Sequence, residues 1–187
     1  MEITPFLDRK LSHRFATIDA DGDGFVERSD FEVPVERLGA EFGHQADSPA
    51  LGELMRLSLR LWESLAAAAD SDHDGRISEA EYKAAFAAGL IDTPASFEQE
   101  YGPYLRAILR IADADGDGRL SADEYVRWTR ALMRLPEQHT REVFRHSDTD
   151  ADGYLTTGEV LDIIRGYYFN NEPEAAPAWM LDLPPEL

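Results

Sequence analysis

Four times in 187 residues the chain writes the same hexad, Asp-x-Asp-x-Asp-Gly: Asp19 to Gly24, Asp70 to Gly75, Asp113 to Gly118 and Asp148 to Gly153. Three carboxylates at alternate positions cannot enter an apolar core, because each buried charge needs a partner. Their mutual repulsion calls for a cation, and the spacing turns three oxygens toward one point. The glycine at the sixth position lets the chain reverse with a positive φ that other residues adopt at a cost.

Each hexad opens a twelve-residue segment with oxygen-bearing groups at positions 1, 3, 5, 7, 9 and 12. In loop one these are Asp19, Asp21, Asp23, Phe25, Glu27 and Asp30. Loop two has Asp70, Asp72, Asp74, Arg76, Ser78 and Glu81, and loop three Asp113, Asp115, Asp117, Arg119, Ser121 and Glu124. Loop four has Asp148, Asp150, Asp152, Tyr154, Thr156 and Glu159. Position 7 offers only its carbonyl, which frees its side chain to vary. Glu at position 12 reaches back with both oxygens. This is the EF-hand pattern, and six to eight oxygens at about 2.3–2.6 Å are what Ca²⁺ requires. Three to four bound calcium ions are expected. Asp30 is one methylene shorter than the Glu of the other loops, so loop one is expected to bind through one oxygen there and to accept Mg²⁺.

The charge supports this assignment. Loop one carries five ligand carboxylates and each other loop four, so seventeen of the 37 acids lie at ligand positions. The remaining 20 nearly balance the 18 Lys and Arg, which places the net charge of −19 in the loops and not over the whole surface. Such a charge disfavours nucleic acid and anionic membrane as partners. No Cys is present, which excludes disulfides and thiolate chemistry. The first residues show no secretory pattern, Glu2 does not fit N-myristoylation, and no apolar run reaches membrane-spanning length. A cytoplasmic monomer is expected.

Helical periodicity brackets every loop. Leu11, Phe15 and Ile18 precede loop one, and Leu54, Leu57, Leu61 and Leu65 precede loop two. Tyr125, Trp128 and Leu132 follow loop three, and Val160, Ile163, Ile164 and Tyr167 follow loop four. Two helices per loop predict an all-α chain of eight helices. Pro34 is expected to kink or shorten the helix leaving loop one. Position 8 is apolar in each loop (Val26, Ile77, Leu120, Leu155), which predicts a tiny two-stranded pairing between neighbouring loops. The gaps between loops are 39, 31 and 23 residues, so loops three and four form the tighter pair. The expected units are an N-terminal pair over 1–90, a C-terminal pair over 91–168 and a Pro-rich tail over 169–187. Gly89 to Pro94 reads as a short connection, which favours one compact globule. The apolar cluster Trp179-Met180-Leu181 is expected to fold back between the halves.

With four loops, a long first gap and Asp30 closing loop one, the chain resembles the sarcoplasmic calcium-binding protein family and its bacterial relatives. The resemblance covers nearly the whole chain. It implies an intracellular fold of two EF-hand pairs that binds Ca²⁺ and Mg²⁺. Loop two departs from the family's frequent degeneracy, because its ligand set looks intact. Two main functions stay open, a calcium buffer or store and a sensor that offers a groove to a partner protein. Four Met give little of the adaptable surface that target grooves use, which leans toward the buffer. Photoproteins and luciferin-binding proteins share the architecture, but they are similar through a cavity with a His on the last helix. No His follows His146 here. His13, His44, His73, His139 and His146 lack any catalytic or metal spacing, and no enzymatic motif appears.

Overall fold

A computed structural model describes residues 4–89 and 94–169. The described residues form nine helices and four short strands. In order these are α1 (Pro5–Ile18), β1 (Phe25–Val26), α2 (Ser29–Glu41), α3 (Pro49–Ala69), β2 (Ile77–Ser78), α4 (Glu79–Ala88), α5 (Pro94–Glu100), α6 (Gly102–Ala112), β3 (Arg119–Ser121), α7 (Ala122–Met133), α8 (Glu137–Ser147), β4 (Tyr154–Thr156) and α9 (Thr157–Phe169).

Local chemistry sets the boundaries. Thr4 accepts from the Leu7 amide and Ser48 from the Leu51 amide, each just before a Pro that needs no donor partner. Ser78 with Glu81, and Ser121 with Glu124, make reciprocal capping boxes at the starts of α4 and α7. Gly89 ends α4 at φ +101°, a left-handed cap that suits glycine.

Two antiparallel pairings join the loops. Val26 faces Ile77 in one, and Leu120 faces Leu155 in the other. All four side chains are buried, so the position-8 reading holds. Burying each is worth about 1.5–3 kcal/mol. The pairing fixes the two loops of each pair back to back.

The halves share a core. Val35, Leu38, Leu51 and Leu54 from α2 and α3 lie in one cluster with Ile108, Trp128, Leu132 and Tyr167 from α6, α7 and α9. A second cluster under loops one and two holds Phe15, Val26, Ile77, Tyr82 and Phe86. Polar ties cross the same boundary: Glu41 of α2 accepts from Arg127 and Arg130 of α7, each at 3.0 Å, and Arg127 also donates to the Glu41 carbonyl. The result is the compact all-α globule of two EF-hand pairs.

Two expectations need correction. Among the described residues the helices number nine, not eight, because α5 occupies part of the stretch between the pairs. Its Phe97 is buried against Tyr101, Tyr168 and Phe169, and that aromatic anchor gives a seven-residue segment a reason to be helical. Of the two effects expected of Pro34, a kink or a shortening, the shortening does not occur: α2 runs on to Glu41 with Pro34 buried inside it. Tertiary packing of Val35 and Leu38 outweighs the lost hydrogen bond there. Residues 90–93, where the two expected units meet, and 170–187, which hold the Trp179-Met180-Leu181 cluster, lie outside the described residues.

Candidate metal centres

Each loop is shaped first by its own backbone amides. Asp19 Oδ1 accepts from Gly22 at 2.7 Å and Oδ2 from Gly24 at 3.0 Å, and the position-1 carboxylates of the other loops take the amide of position 6 in the same way. The position-5 carboxylates of Asp23, Asp74, Asp117 and Asp152 accept from the amide two residues on, at 2.8–2.9 Å. These bonds hold the anions in place before any ion arrives. The turn needs the glycine at position 6, where φ runs from 84° to 90°.

Position 4 is also left-handed, with Gly22 at +77°, Gly116 at +74°, His73 at +61° and Ala151 at +56°. The sequence reading passed over this second strained position. Glycine in two of the four copies was the available signal. His73 is exposed, as its place in the loop implied.

The position-12 carboxylate closes each loop. Glu124 Oε1 accepts from the Ala114 amide and Oε2 from the Ser121 amide, each at 2.8 Å. Glu81 and Glu159 bridge their loops between the same two positions. Four hydrogen-bond donors from Ser78 and Ser71 hold the Glu81 carboxyl down at about 2, the Ser78 amide foremost. Asp30 does the same work with a shorter arm, accepting from Ala20 and Glu27 amides at 2.7 Å each. Asp30 is buried. That burial raises its carboxyl above the usual value in spite of the two bonds.

Four carboxylate clusters result: Asp19, Asp21 and Asp30; Asp70, Asp72 and Glu81; Asp113, Asp115 and Glu124; Asp148, Asp150 and Glu159. Within each, one oxygen per residue lies within 4.8 Å of the others. The position-5 aspartates are not part of these closest sets. At position 9 the hydroxyls of Ser78, Ser121 and Thr156 each bond the closing Glu, accepting its amide and donating to its Oε2. A helix cap therefore uses them, and a water is the natural link from position 9 to an ion. Glu27 of loop one instead accepts from Ser29.

The donor set is hard oxygen throughout, which fits Ca²⁺ and Mg²⁺ and not a softer metal. Asp70 Oδ1 is buried with no hydrogen-bond partner, which leaves its lone pairs available to a cation. Arg119 sits over the Tyr154 ring at 3.9 Å and reaches Asp117 and Asp152, linking loops three and four at their rims. Among the described residues no helix is long and apolar enough to cross a membrane.

A helix-loop-helix scaffold with four paired, oxygen-lined loops defines a calcium-binding protein. The chain belongs to the EF-hand family: the EF-hand domain pair matches residues 8–87 and 67–130, and a second EF-hand domain pair description matches 128–162. It is similar to calerythrin of Saccharopolyspora erythraea, 29% identical over 167 residues, 89% of this chain and 94% of that one. It is similar in structure to a Streptomyces coelicolor calcium-binding protein described in terms of prokaryotic calcium-mediated regulation. The TM-score is 0.77 at 35% identity, over 86% of this chain and 96% of that one. The coelenterazine-binding protein of Renilla muelleri shares the fold, at TM-score 0.70 and 24% identity over 94% and 95% of the two chains. These likenesses bear out the resemblance to bacterial relatives of the sarcoplasmic calcium-binding proteins.

Proposed function

We propose that this protein is a calcium buffer or store in which all four loops fill and the fold changes little on binding. The observation that carries this is the shared core. The apolar faces of α2 and α3 are already covered by α6 and α7, and Val33 is the one large apolar side chain exposed among the described residues. A sensor needs an apolar face that metal can uncover for a partner. The proposed ligands are the position 1, 3, 5, 9 and 12 side chains and the position 7 carbonyl of each loop, with position 9 acting through water. Loop one takes Mg²⁺ as well, because Asp30 is short. The cellular interior is the proposed location.

The sensor reading has one observation in its favour, the regulatory description of the Streptomyces coelicolor protein. Amide hydrogen exchange across α2–α7 and α3–α6 separates the two. Buffering requires that protection at these contacts survive with and without saturating calcium. Loss of protection on adding calcium would establish the sensor. Calorimetry should count four calcium ions per chain, and a count of two or fewer would refute the ligand assignment.

A further inference from the structure

Between the halves lies a cavity of about 110 Å³, walled by α1, α2, α3, α6, α7 and α9. Its wall is aromatic but not dry. Trp128 is buried with its indole N–H unpartnered. Tyr101 and Tyr125 also stand in the wall. Arg14 enters from α1, donating from Nε to Tyr168 at 2.8 Å and from Nη1 to Thr17 at 3.3 Å. No carboxylate pairs with Arg14 among the described residues, although this chain has twice as many acids as bases. A guanidinium held among tyrosines without a counter-ion is costly, and so is a buried N–H without an acceptor. The calcium loops explain neither.

We propose that this cavity is a binding site for a small aromatic carboxylate. Aromatic faces of the kind that line this wall stack on a planar ring. The carboxylate supplies the missing counter-ion to Arg14 and an acceptor for the Trp128 N–H. A purely apolar guest would leave those groups unsatisfied, and a cation would be repelled by Arg14. The site borders loop one, whose closing ligand Asp30 stands in its wall with Phe31.

The probe is 4-fluorobenzoate, titrated into the calcium-saturated full chain at physiological salt, with fluorine NMR following the ligand and proton–nitrogen NMR following the Trp128 indole. Saturable one-to-one binding that moves the Trp128 N–H signal is expected. The neutral isostere 4-fluorobenzamide should bind at least tenfold more weakly. Arg14→Met should weaken 4-fluorobenzoate at least tenfold and Trp128→Phe about threefold, with circular dichroism confirming the fold. Should either variant fail to fold, Leu105→Phe, which fills the space from the α6 side, should abolish binding with calcium uptake unchanged. Lack of a saturable shift at Trp128 up to millimolar probe would overturn the site. Equal affinity for benzoate and benzamide would overturn the anionic class.

Discussion

The guanidinium of Arg134, at the C-terminal end of α7, donates to the carbonyl oxygens of Asp19 at 2.6 Å and Ala20 at 2.7 Å. Helix α7 begins at the mouth of loop three, where Glu124 lies in its first turn, and ends on loop one. One rigid element thus touches the metal loops of both halves. Arg134 itself adopts φ +56°, a left-handed cap that aims its side chain across the boundary. Replacing it by Gln keeps length but removes the charge and the fork. Arg134→Gln should destabilise the metal-free protein by about 1–2 kcal/mol, the scale of charged hydrogen bonds at a partly exposed site. Urea unfolding would measure it. Unchanged stability would show that the contact is idle.

Asp30 predicts a difference between loops. It closes loop one with an arm one methylene shorter, yet spans the same two backbone donors as Glu124. A closing ligand with a shorter arm, binding through one oxygen, suits the smaller, six-coordinate Mg²⁺. Asp30→Glu should restore a two-oxygen clasp and raise the Ca²⁺ over Mg²⁺ preference of loop one by roughly tenfold. Calcium titration in millimolar magnesium, with the other loops as internal reference, would reveal it. Four sites of equal selectivity in the unmodified protein would count against the argument.

Backbone geometry supplies another test. Gly153 sits at φ +86° with open space around it, so a methyl group there meets no neighbour. Any cost of Gly153→Ala is therefore conformational, about 1–2 kcal/mol. Calcium affinity at loop four should fall with it, because the ligands before and after position 6 must share one ion. Thermal unfolding with chelator gives the first effect and calorimetry the second.

Much of the centre could be read directly from the chain. Asp at positions 1, 3 and 5 and an apolar position 8 each have a single geometric use, so Val26 facing Ile77 was deducible. What escaped depends on distance. Arg134 and Asp19 are 115 positions apart, and nothing in the local pattern marks Arg134 as a clasp. Helix α5 escaped because its seven residues hold one anchor, Phe97, and one side chain makes no period. The continuation of α2 through Pro34 was missed for the same reason: packing from another part of the chain decided it.

Calcium removal has a predictable thermal signature. With metal absent, each loop holds carboxylates within 4.8 Å of one another, offset mainly by backbone amides and hydroxyls. Ligand that binds the folded form alone adds RT ln(1 + [L]/Kd) per site, about 2.7 kcal/mol at a hundredfold excess over Kd. The unfolding temperature should rise steadily with calcium concentration past saturation. A plateau at stoichiometric metal would mean that the unfolded chain binds calcium too.

The closing carboxylates of loops one and two should respond to acid with opposite signs in the metal-free protein. Hydrogen bonds from Ser78 and Ser71 hold Glu81 at about 2 when folded, below the ordinary value of 4.5. Its stabilising contribution is therefore present above pH 4.5 and is lost as pH falls toward 2. Burial instead raises the folded value of Asp30 above the ordinary 3.8. The folded state then holds that proton more tightly than the unfolded one, so Asp30 adds stability as pH falls through its folded value and costs stability when ionised. Glu81→Gln should flatten the acid limb of the stability curve between pH 4.5 and 2. Asp30→Asn should raise metal-free stability at pH 7 and weaken ion binding at loop one. Urea midpoints across that pH range would decide, and parallel acid limbs in both variants would show that burial and hydrogen bonding do not divide the two sites.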